Sequence, residues 1–266
     1  MTGLNGKVAV ITGSSMGIGE AIAKRLVAEG ASVVLSSRDA DRAEAARLRI
    51  GHGERTLALA CDVRNREEIE HLLGLTLHNF GRVDIWVNNA GFGLHDAVAD
   101  LDMAATRELF ETNLFGAVNG MQVVIPAMVQ QRHGVIINIS SVAGHIPLPF
   151  SGAYSATKFA LNAMGKAARI ELRGTGVHVM TVCPGYVATD FKQHVVRGRA
   201  RRGLASPVQG IAADRVAEAV VLGYLKRKRE VVIPRRDRIF ITLYQLFPGV
   251  VEYIMARMVK ENPNSK

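Results

Sequence analysis

Seven short apolar runs, rich in β-branched residues, recur along the chain: Val8 to Ile11, Ser32 to Leu35, Leu57 to Ala60, Val83 to Val87, Val135 to Ile139, Val177 to Val182 and Glu230 to Ile233. Between them, apolar positions three and four apart mark helices over Ile18 to Glu29, Arg66 to Asn79, Ala104 to Arg132, Ala153 to Arg173 and Ala213 to Lys228. A continuous apolar run of strand length suits a strand buried on both faces, and a 3.6-residue period suits a helix covering one of those faces. The alternation therefore predicts an α/β fold, a doubly wound parallel sheet of the Rossmann-like kind with about seven strands. No repeat, low-complexity tract or linker divides the chain, so a single domain is expected. Ligands of such sheets bind beyond the carboxyl ends of the strands, where the strand order reverses. Candidate chemistry is sought there.

Composition narrows the picture. The 266 residues are 48% hydrophobic and 21% charged, which excludes a disordered chain, a collagen-like repeat and a disulfide scaffold. Cys61 and Cys183 both lie in apolar runs and read as buried thiols of a reducing compartment; no zinc-ligand spacing exists, so no metal is expected. Met1 to Lys7 is polar and Thr12 and Gly13 break the next apolar run, which predicts no signal peptide and a cytoplasmic protein. The net charge of +9 has one source, because Lys192 to Arg238 holds thirteen Lys or Arg against four acids. A single basic stretch without a recognition motif or interleaved aromatics is not the footprint of a nucleic-acid reader.

After the first strand comes Thr12-Gly13-Ser14-Ser15-Met16-Gly17-Ile18-Gly19, opening directly into a helix. Glycines allow a tight turn and close approach of backbone amides to a pyrophosphate, and the helix N-terminus adds partial positive charge. The spacing is G-x-x-x-G-x-G, so Gly13, Ser15, Met16, Gly17, Ile18 and Gly19 are candidate cofactor contacts. At the end of the second strand stand Ser37 and Arg38 where an NAD site would carry an acid. A guanidinium fork and a hydroxyl suit the 2′-phosphate of NADP(H), in preference to NAD(H). Asp62, with Val63 beside it, is placed to accept from the adenine amine, or else to cap the next helix.

Tyr154 and Lys158 lie four residues apart on a predicted helix and so share a face. A nearby ammonium favours phenolate and lowers a tyrosine pKa, which makes the pair a proton-transfer device. Ser141 precedes Tyr154 by thirteen residues at the end of the fifth strand, and Asn113 lies inside the preceding long helix. Together with Thr12 to Gly19, Asn89-Ala90-Gly91, Pro184-Gly185 and Thr189, these residues resemble the classical short-chain dehydrogenase/reductases over about residues 4–190. The resemblance implies that Tyr154 is the general acid in reduction and that Ser141, rather than Ser140, holds the substrate carbonyl. It implies that Lys158 binds the nicotinamide ribose and lowers the tyrosine pKa, and that Asn113 holds a water linking the lysine to solvent. Asn89, Ala90 and Gly91 would pass along the adenosine, Val187 would hold the carboxamide through its backbone, and Pro184, Gly185 and Thr189 would border the nicotinamide and phosphates.

The sequence departs from that family in two places. Met16 stands where many NADP-dependent members carry a basic residue, leaving Arg38, helped by Arg42, as the phosphate reader. The C-terminus lacks the glycine-rich end of many bacterial 3-oxoacyl carrier-protein reductases and carries an amphipathic tail with Phe240, Leu243, Leu246, Phe247, Val251, Ile254, Met255 and Met258 at helical spacing. Residues 1–238 are thus expected to form the NADP(H)-binding domain, with a substrate lid over about 190–212. Residues 239–266 would form a tail packed on the same domain, a packing helix in preference to a peripheral membrane contact. Phe92, Leu94, His95, His145, Ile146, Leu148 and Phe150 are expected to line an apolar pocket, the two histidines more as loop residues than as functional ones. The expected function is an NADP(H)-dependent oxidoreductase interconverting a small hydrophobic ketone or aldehyde and its alcohol. A 3-oxoacyl-thioester reductase is the alternative, and a nonenzymatic NADP(H)-sensing protein follows behind. A homodimer or homotetramer is implied by the resemblance.

Overall fold

The computed structural model describes residues 3–189, 195–198, 202–204 and 210–261. Seven strands form the central sheet: β1 (Val8–Ile11), β2 (Ser32–Ser37), β3 (Thr56–Ala60), β4 (Ile85–Asn88), β5 (Gly134–Ile139), β6 (Val177–Pro184) and β7 (Glu230–Ile233). All neighbours pair in parallel, in the order β7-β6-β5-β4-β1-β2-β3. The chain winds outward from β1 to β3 and then resumes on the other side of β1 with β4. The order therefore reverses between β1 and β4, and a cleft is expected at their carboxyl ends.

The strand period of two distributes each run over both faces of the sheet. Ala9, Ile11, Ile85 and Val87 join one buried cluster with Ile22 and Leu26 of α1 (Gly17–Ala28). Val10 and Trp86 join the other, with Ile69 and Leu72 of α3 (Arg66–Phe80). Asp84, wholly buried just before β4, ties the N-termini of β1 and β4 together: it accepts from the Val8 amide at 3.0 Å, from Lys7 at 3.1 Å and from Arg82 at 2.6 Å. Burial alone would raise its pKa, but the bonds from Arg82, Val8 and Lys7 outweigh burial and hold the carboxyl below its ordinary value.

Two helical segments differ from the sequence expectation. The helix α2 (Ala40–Ile50) escapes a search for apolar stripes because its buried positions are only Ala43 and Ala46; it starts where the Asp39 side chain accepts from the Arg42 amide. The long helix expected over Ala104 to Arg132 is three pieces: α4 (Met103–Phe110), a π-helical turn (Glu111–Phe115) and α5 (Gly116–Gln130). Residues Met103–Gln130 are long and apolar enough to cross a membrane by length and composition. They are instead a core element, with Leu109, Met121, Val124 and Met128 buried against the sheet and its neighbours.

After β5 come α6 (Gly152–Glu171) and, beyond β6, α7 (Ala213–Leu225). Short strand pairs join Val187–Ala188 to Ile211–Ala212 and Gly93–His95 to Val195–Arg197. The tail forms two helices, α8 (Asp237–Leu246) and α9 (Pro248–Met258). Most of the segment expected as a lid, and with it Lys192, Arg199 and Arg201 of the basic stretch, lies outside the described residues.

Candidate active site

Between β1 and α1 the glycine loop follows the path its sequence calls for. Gly13 and Gly17 both have positive φ, 62° and 60°, which a side chain would strain. Gly13 backs onto Ala90, whose Cα stands 2.7 Å from where a Cβ would be. At Gly17 a Cβ would project into the space toward Thr189, 3.7 Å away. The N-cap residue Met16 contributes no side-chain hydrogen bond, so the first amides of α1, around Ile18 and Gly19, keep their partial positive charge for a ligand. Arg49 holds the Ser15 carbonyl at 3.0 Å and Glu20 at 2.8 Å, which steadies the loop from outside. This cradle, rimmed by Gly17, Met16 and Thr189, fits a dinucleotide pyrophosphate.

Asn89 serves the loop from the other side. Its amide nitrogen donates to the carbonyls of Thr12 and Gly13, both at 2.9 Å, while the Thr12 hydroxyl accepts from the backbone of Asn89 and Ala90 at 3.0 and 3.2 Å. The Ser14 hydroxyl links Ile11 to the Ser36 amide, each at 2.9 Å. Thr12 and Ser14 were not singled out in the sequence; their position inside the loop was the available signal.

At the edge of the cleft Ser37 accepts from the Asp39 amide at 3.3 Å. Arg38 is exposed and makes no hydrogen bond or ion pair among the described residues. Arg42 is turned to Asp39 at 3.5 Å. Asp62 does not cap the following helix, because Asn65 takes that role with the Glu67 amide at 2.9 Å. Burial raises the Asp62 pKa, but hydrogen bonds from the Arg64 side chain and amide outweigh it and the net direction is down. Val63 is buried, its side chain against Gly116 at the start of α5, so only its backbone can border the cleft.

The catalytic candidates converge at the ends of β5 and β6. The Ser141 hydroxyl donates to the Pro184 carbonyl at 3.3 Å, accepts from the Ala143 amide at 3.1 Å, and is hydrogen-bonded to the Tyr154 phenol. Ser140 is buried and turned to the Lys158 carbonyl at 3.4 Å, so geometry also separates the two serines in favour of Ser141. The short turn after Ser141 lies so close to α6 that a Cβ on Gly144 would meet the Lys158 carbonyl at 2.8 Å. Lys158 is buried, donates to the Ile139 carbonyl at 3.0 Å, and places its Nζ 5.8 Å from the Tyr154 ring centroid.

Burial, more than any neighbour, raises the Tyr154 pKa to about 12, with the Ser141 bond lowering it only in part, and burial lowers Lys158 to about 8. Desolvation thus opposes the expected pull of the lysine on the tyrosine and pushes both groups toward their neutral forms.

Asn113 sits in the π-helical turn, a feature that re-aims side chains at functional sites. Its Oδ1 accepts from the Phe92 amide at 3.0 Å and its Nδ2 donates to the Phe92 carbonyl at 2.8 Å. It thereby fixes the strand end next to Gly91, whose Cβ position is 2.9 Å from Asn113 and 3.8 Å from Lys158. Gly185 and Val187 follow β6, Gly185 bonding back to Ile233 at 2.7 Å and Val187 pairing with Ile211.

The expected pocket wall is partly core. Leu94 is buried with Leu109 and Ala153, next to Phe92 and Tyr154, and Ile146 is buried with Cys183, Val232 and Ile241. His95 stacks at a tilt on Phe150, centroids 5.9 Å apart. His145 is more than a loop residue: its Nε2 lies 3.3 Å from Glu230, 3.4 Å from the Cys183 sulfur and 3.4 Å from Asn162. Asn162, one turn after Lys158, also donates to the Gly144 carbonyl at 2.8 Å, so this cluster braces the Ser141 turn. Both cysteines are free and buried, and burial pushes each thiol up to about 12, leaving them unreactive.

A pyrophosphate cradle at the strand-order reversal, opening onto a serine, tyrosine and lysine, defines a nicotinamide-dependent oxidoreductase of the doubly wound class. The chain matches the short chain dehydrogenase family over residues 7–200 and belongs to it. Ketoacyl reductase HetN of Nostoc sp. is 32% identical over 96% of this chain and 90% of its own length. A short-chain dehydrogenase/reductase from Burkholderia phymatum, solved with NAD, is 25% identical and superposes with a TM-score of 0.84 over 94% of this chain and 97% of that one. An alcohol dehydrogenase from Thermococcus sibiricus, solved with 5-hydroxy-NADP, is 30% identical with a TM-score of 0.75 over 85% and 95%. The family's enzymes act on CH–OH and C=O groups with a nicotinamide cofactor, and the seven-stranded Rossmann-like sheet is common to them.

Proposed function

We propose that this protein is an NADP(H)-dependent reductase that interconverts a small hydrophobic ketone or aldehyde with its alcohol. The observation that carries the reading is the Ser141–Tyr154 hydrogen bond with Lys158 behind it. When bound, the nicotinamide supplies or accepts the hydride at the substrate carbon. The chain supplies the rest. Ser141 holds the carbonyl oxygen, and Tyr154, kept protonated by burial, donates its proton to that oxygen as negative charge develops. Lys158 and Asn113 hold the ribose side and the water-linked proton path. Phe92 and Leu94 keep the reacting carbonyl in apolar surroundings. Gly13 to Gly19, Asp62, Val63, Asn89 to Gly91, Pro184, Gly185, Val187 and Thr189 border the cofactor.

Preference for NADP(H) over NAD(H) rests on Ser37 and on the exposed Arg38, whose guanidinium is not committed to a protein carboxylate. Arg38→Ala is expected to raise the KM for NADPH about tenfold, the loss of one charge-assisted contact, with kcat unchanged. Steady-state kinetics with NADPH and NADH check this, and an unchanged KM assigns the phosphate to another group.

The direction of the pKa shifts gives a pH profile. Tyr154, raised to about 12, stays a proton donor throughout the neutral range, whereas Lys158, lowered to about 8, loses its charge above that value. Reduction is therefore expected to hold its kcat/KM through neutral pH and to fall above about pH 8. A profile that stays level well beyond that range removes the lysine charge from the reaction.

A 3-oxoacyl thioester is the second substrate class, favoured by the likeness to a ketoacyl reductase. Turnover of acetoacetyl thioesters against simple ketones separates the two. A purely cofactor-sensing role would leave Ser141, Tyr154 and Lys158 without a task. Met103, Phe115, Phe159 and Met164, exposed along α4 to α6, support a homodimer or homotetramer. The inert thiols agree with a reducing, cytoplasmic setting.

A further inference from the structure

The tail helices are apolar around more than half of their circumference, and among the described residues the domain covers only one side of them. On the inner side Ile241 is buried against Cys183, Val232 and Ile146, with Tyr244 and Met255 packed beside it. On the outer side of α8 stand Ile239, Phe240, Leu243 and Leu246, from 42% to 64% exposed. On α9 stand Val250, Tyr253, Ile254 and Met258, from 38% to 59% exposed, and Phe247 joins the two rows at 57%. A helix of a soluble domain needs one apolar stripe, toward its core. A second, contiguous stripe of aromatic and aliphatic side chains marks a surface that something else covers.

The charges around the stripe say what covers it. Lys226, Arg227, Lys228 and Arg229 are four consecutive exposed cations, and Arg235, Arg236 and Arg238 open α8. Arg238 reaches Glu230, the residue that follows the Lys226 to Arg229 run, at 3.3 Å. At the far end Arg257 lies over the Tyr253 ring at 4.7 Å, the aromatic and cationic pairing that suits a boundary between hydrocarbon and headgroups. Among the described residues the nearby acids are few: Asp237 and Glu230 are half-buried and Glu252 accepts from the Tyr244 hydroxyl. A two-fold contact with a second copy would gather two sets of these cations around one interface with little to offset them. An anionic surface is complementary to all of them at once.

We propose that the outward face of α8 and α9, with its rim of cations, is a peripheral docking surface for an anionic phospholipid bilayer. The apolar stripe enters the headgroup boundary and the rim meets the lipid phosphates and carboxylates. The inner stripe meanwhile stays packed on Val142 and Ile146.

The test is sedimentation of the full chain with sucrose-loaded vesicles of phosphatidylcholine alone and of phosphatidylcholine mixed with phosphatidylserine. Binding is expected to the mixed vesicles only and to weaken with added salt. The exposed triple variant Phe240→Ser, Leu246→Ser, Ile254→Ser is expected to lose binding with its thermal melting unchanged. Neutralising three cations, Lys226→Gln, Lys228→Gln and Arg235→Gln, should lower partitioning roughly a hundredfold. No binding to the mixed vesicles overturns the proposal, as does equal binding to the neutral ones. A dimer-to-monomer shift of the serine variant in the absence of lipid overturns it in favour of a second copy.

Discussion

Replacing Tyr154 by phenylalanine is expected to lower kcat for ketone reduction about a thousandfold while leaving cofactor affinity unchanged. The ring would keep its place beside Leu94, Leu109 and Ala153, because nothing in that contact depends on the hydroxyl. What disappears is the one proton donor held next to the Ser141 hydroxyl. The remaining activity would come from orientation of the substrate and from the serine. Single-turnover kinetics combined with quenching of protein fluorescence by NADPH separates chemistry from binding. Turnover close to that of the unmodified protein would remove Tyr154 from the role of acid.

The second large effect lies beneath the site. Asp84→Ala is expected to cost about 3 kcal/mol of stability, the lower end for breaking a buried ionic group, since Arg82 and Lys7 keep partial access to water. For a domain of this size that corresponds to a fall in Tm of roughly 8 °C. The sign of the pH dependence follows from the lowered pKa of the folded carboxyl. Its stabilisation is fully present above the unfolded value of about 4 and is lost as the pH falls through the folded value, so the two proteins should converge in acid. Differential scanning calorimetry at neutral and acidic pH measures both, and a constant difference would mean that the carboxylate charge contributes nothing.

Much of this molecule is written in local patterns. The strands are legible because each is a short apolar run, buried on both faces in the inner five and only partly buried in the edge strands β3 and β7, and their observed limits differ from the expected ones by a few residues at most. The β4 strand starts at Ile85, two residues after its apolar run does, although the Asp84 amide already donates to the Val8 carbonyl. Tyr154 and Lys158 could be paired because a spacing of four sets them on one helix face, and Ser141 was added to them by the resemblance to the family. The parts that stayed hidden depend on contacts between distant segments. The brace formed by His145, Cys183 and Glu230 joins residues from three separate elements, and its members are ordinary in their own neighbourhoods. The pKa balance was hidden for the same reason: a spacing of four places an ammonium near a phenol but says nothing of how completely both are removed from water. Ala43 and Ala46 are too small to draw an apolar stripe, which is why α2 went unseen.

The π-helical turn at Glu111–Phe115 acts as a phase offset along one rod. Each residue of an α-helix advances about 100°, so one additional residue in a turn rotates everything after it by that amount relative to what came before. Upstream of the offset Leu109 points at Leu94 and Ala153, and downstream Met121 and Val124 point at the far cluster around Trp86. A deletion of Glu111 or Thr112 would look harmless, because the segment would remain helical. It would nevertheless turn Asn113 away from Phe92 and swing the whole of α5 out of register with the sheet.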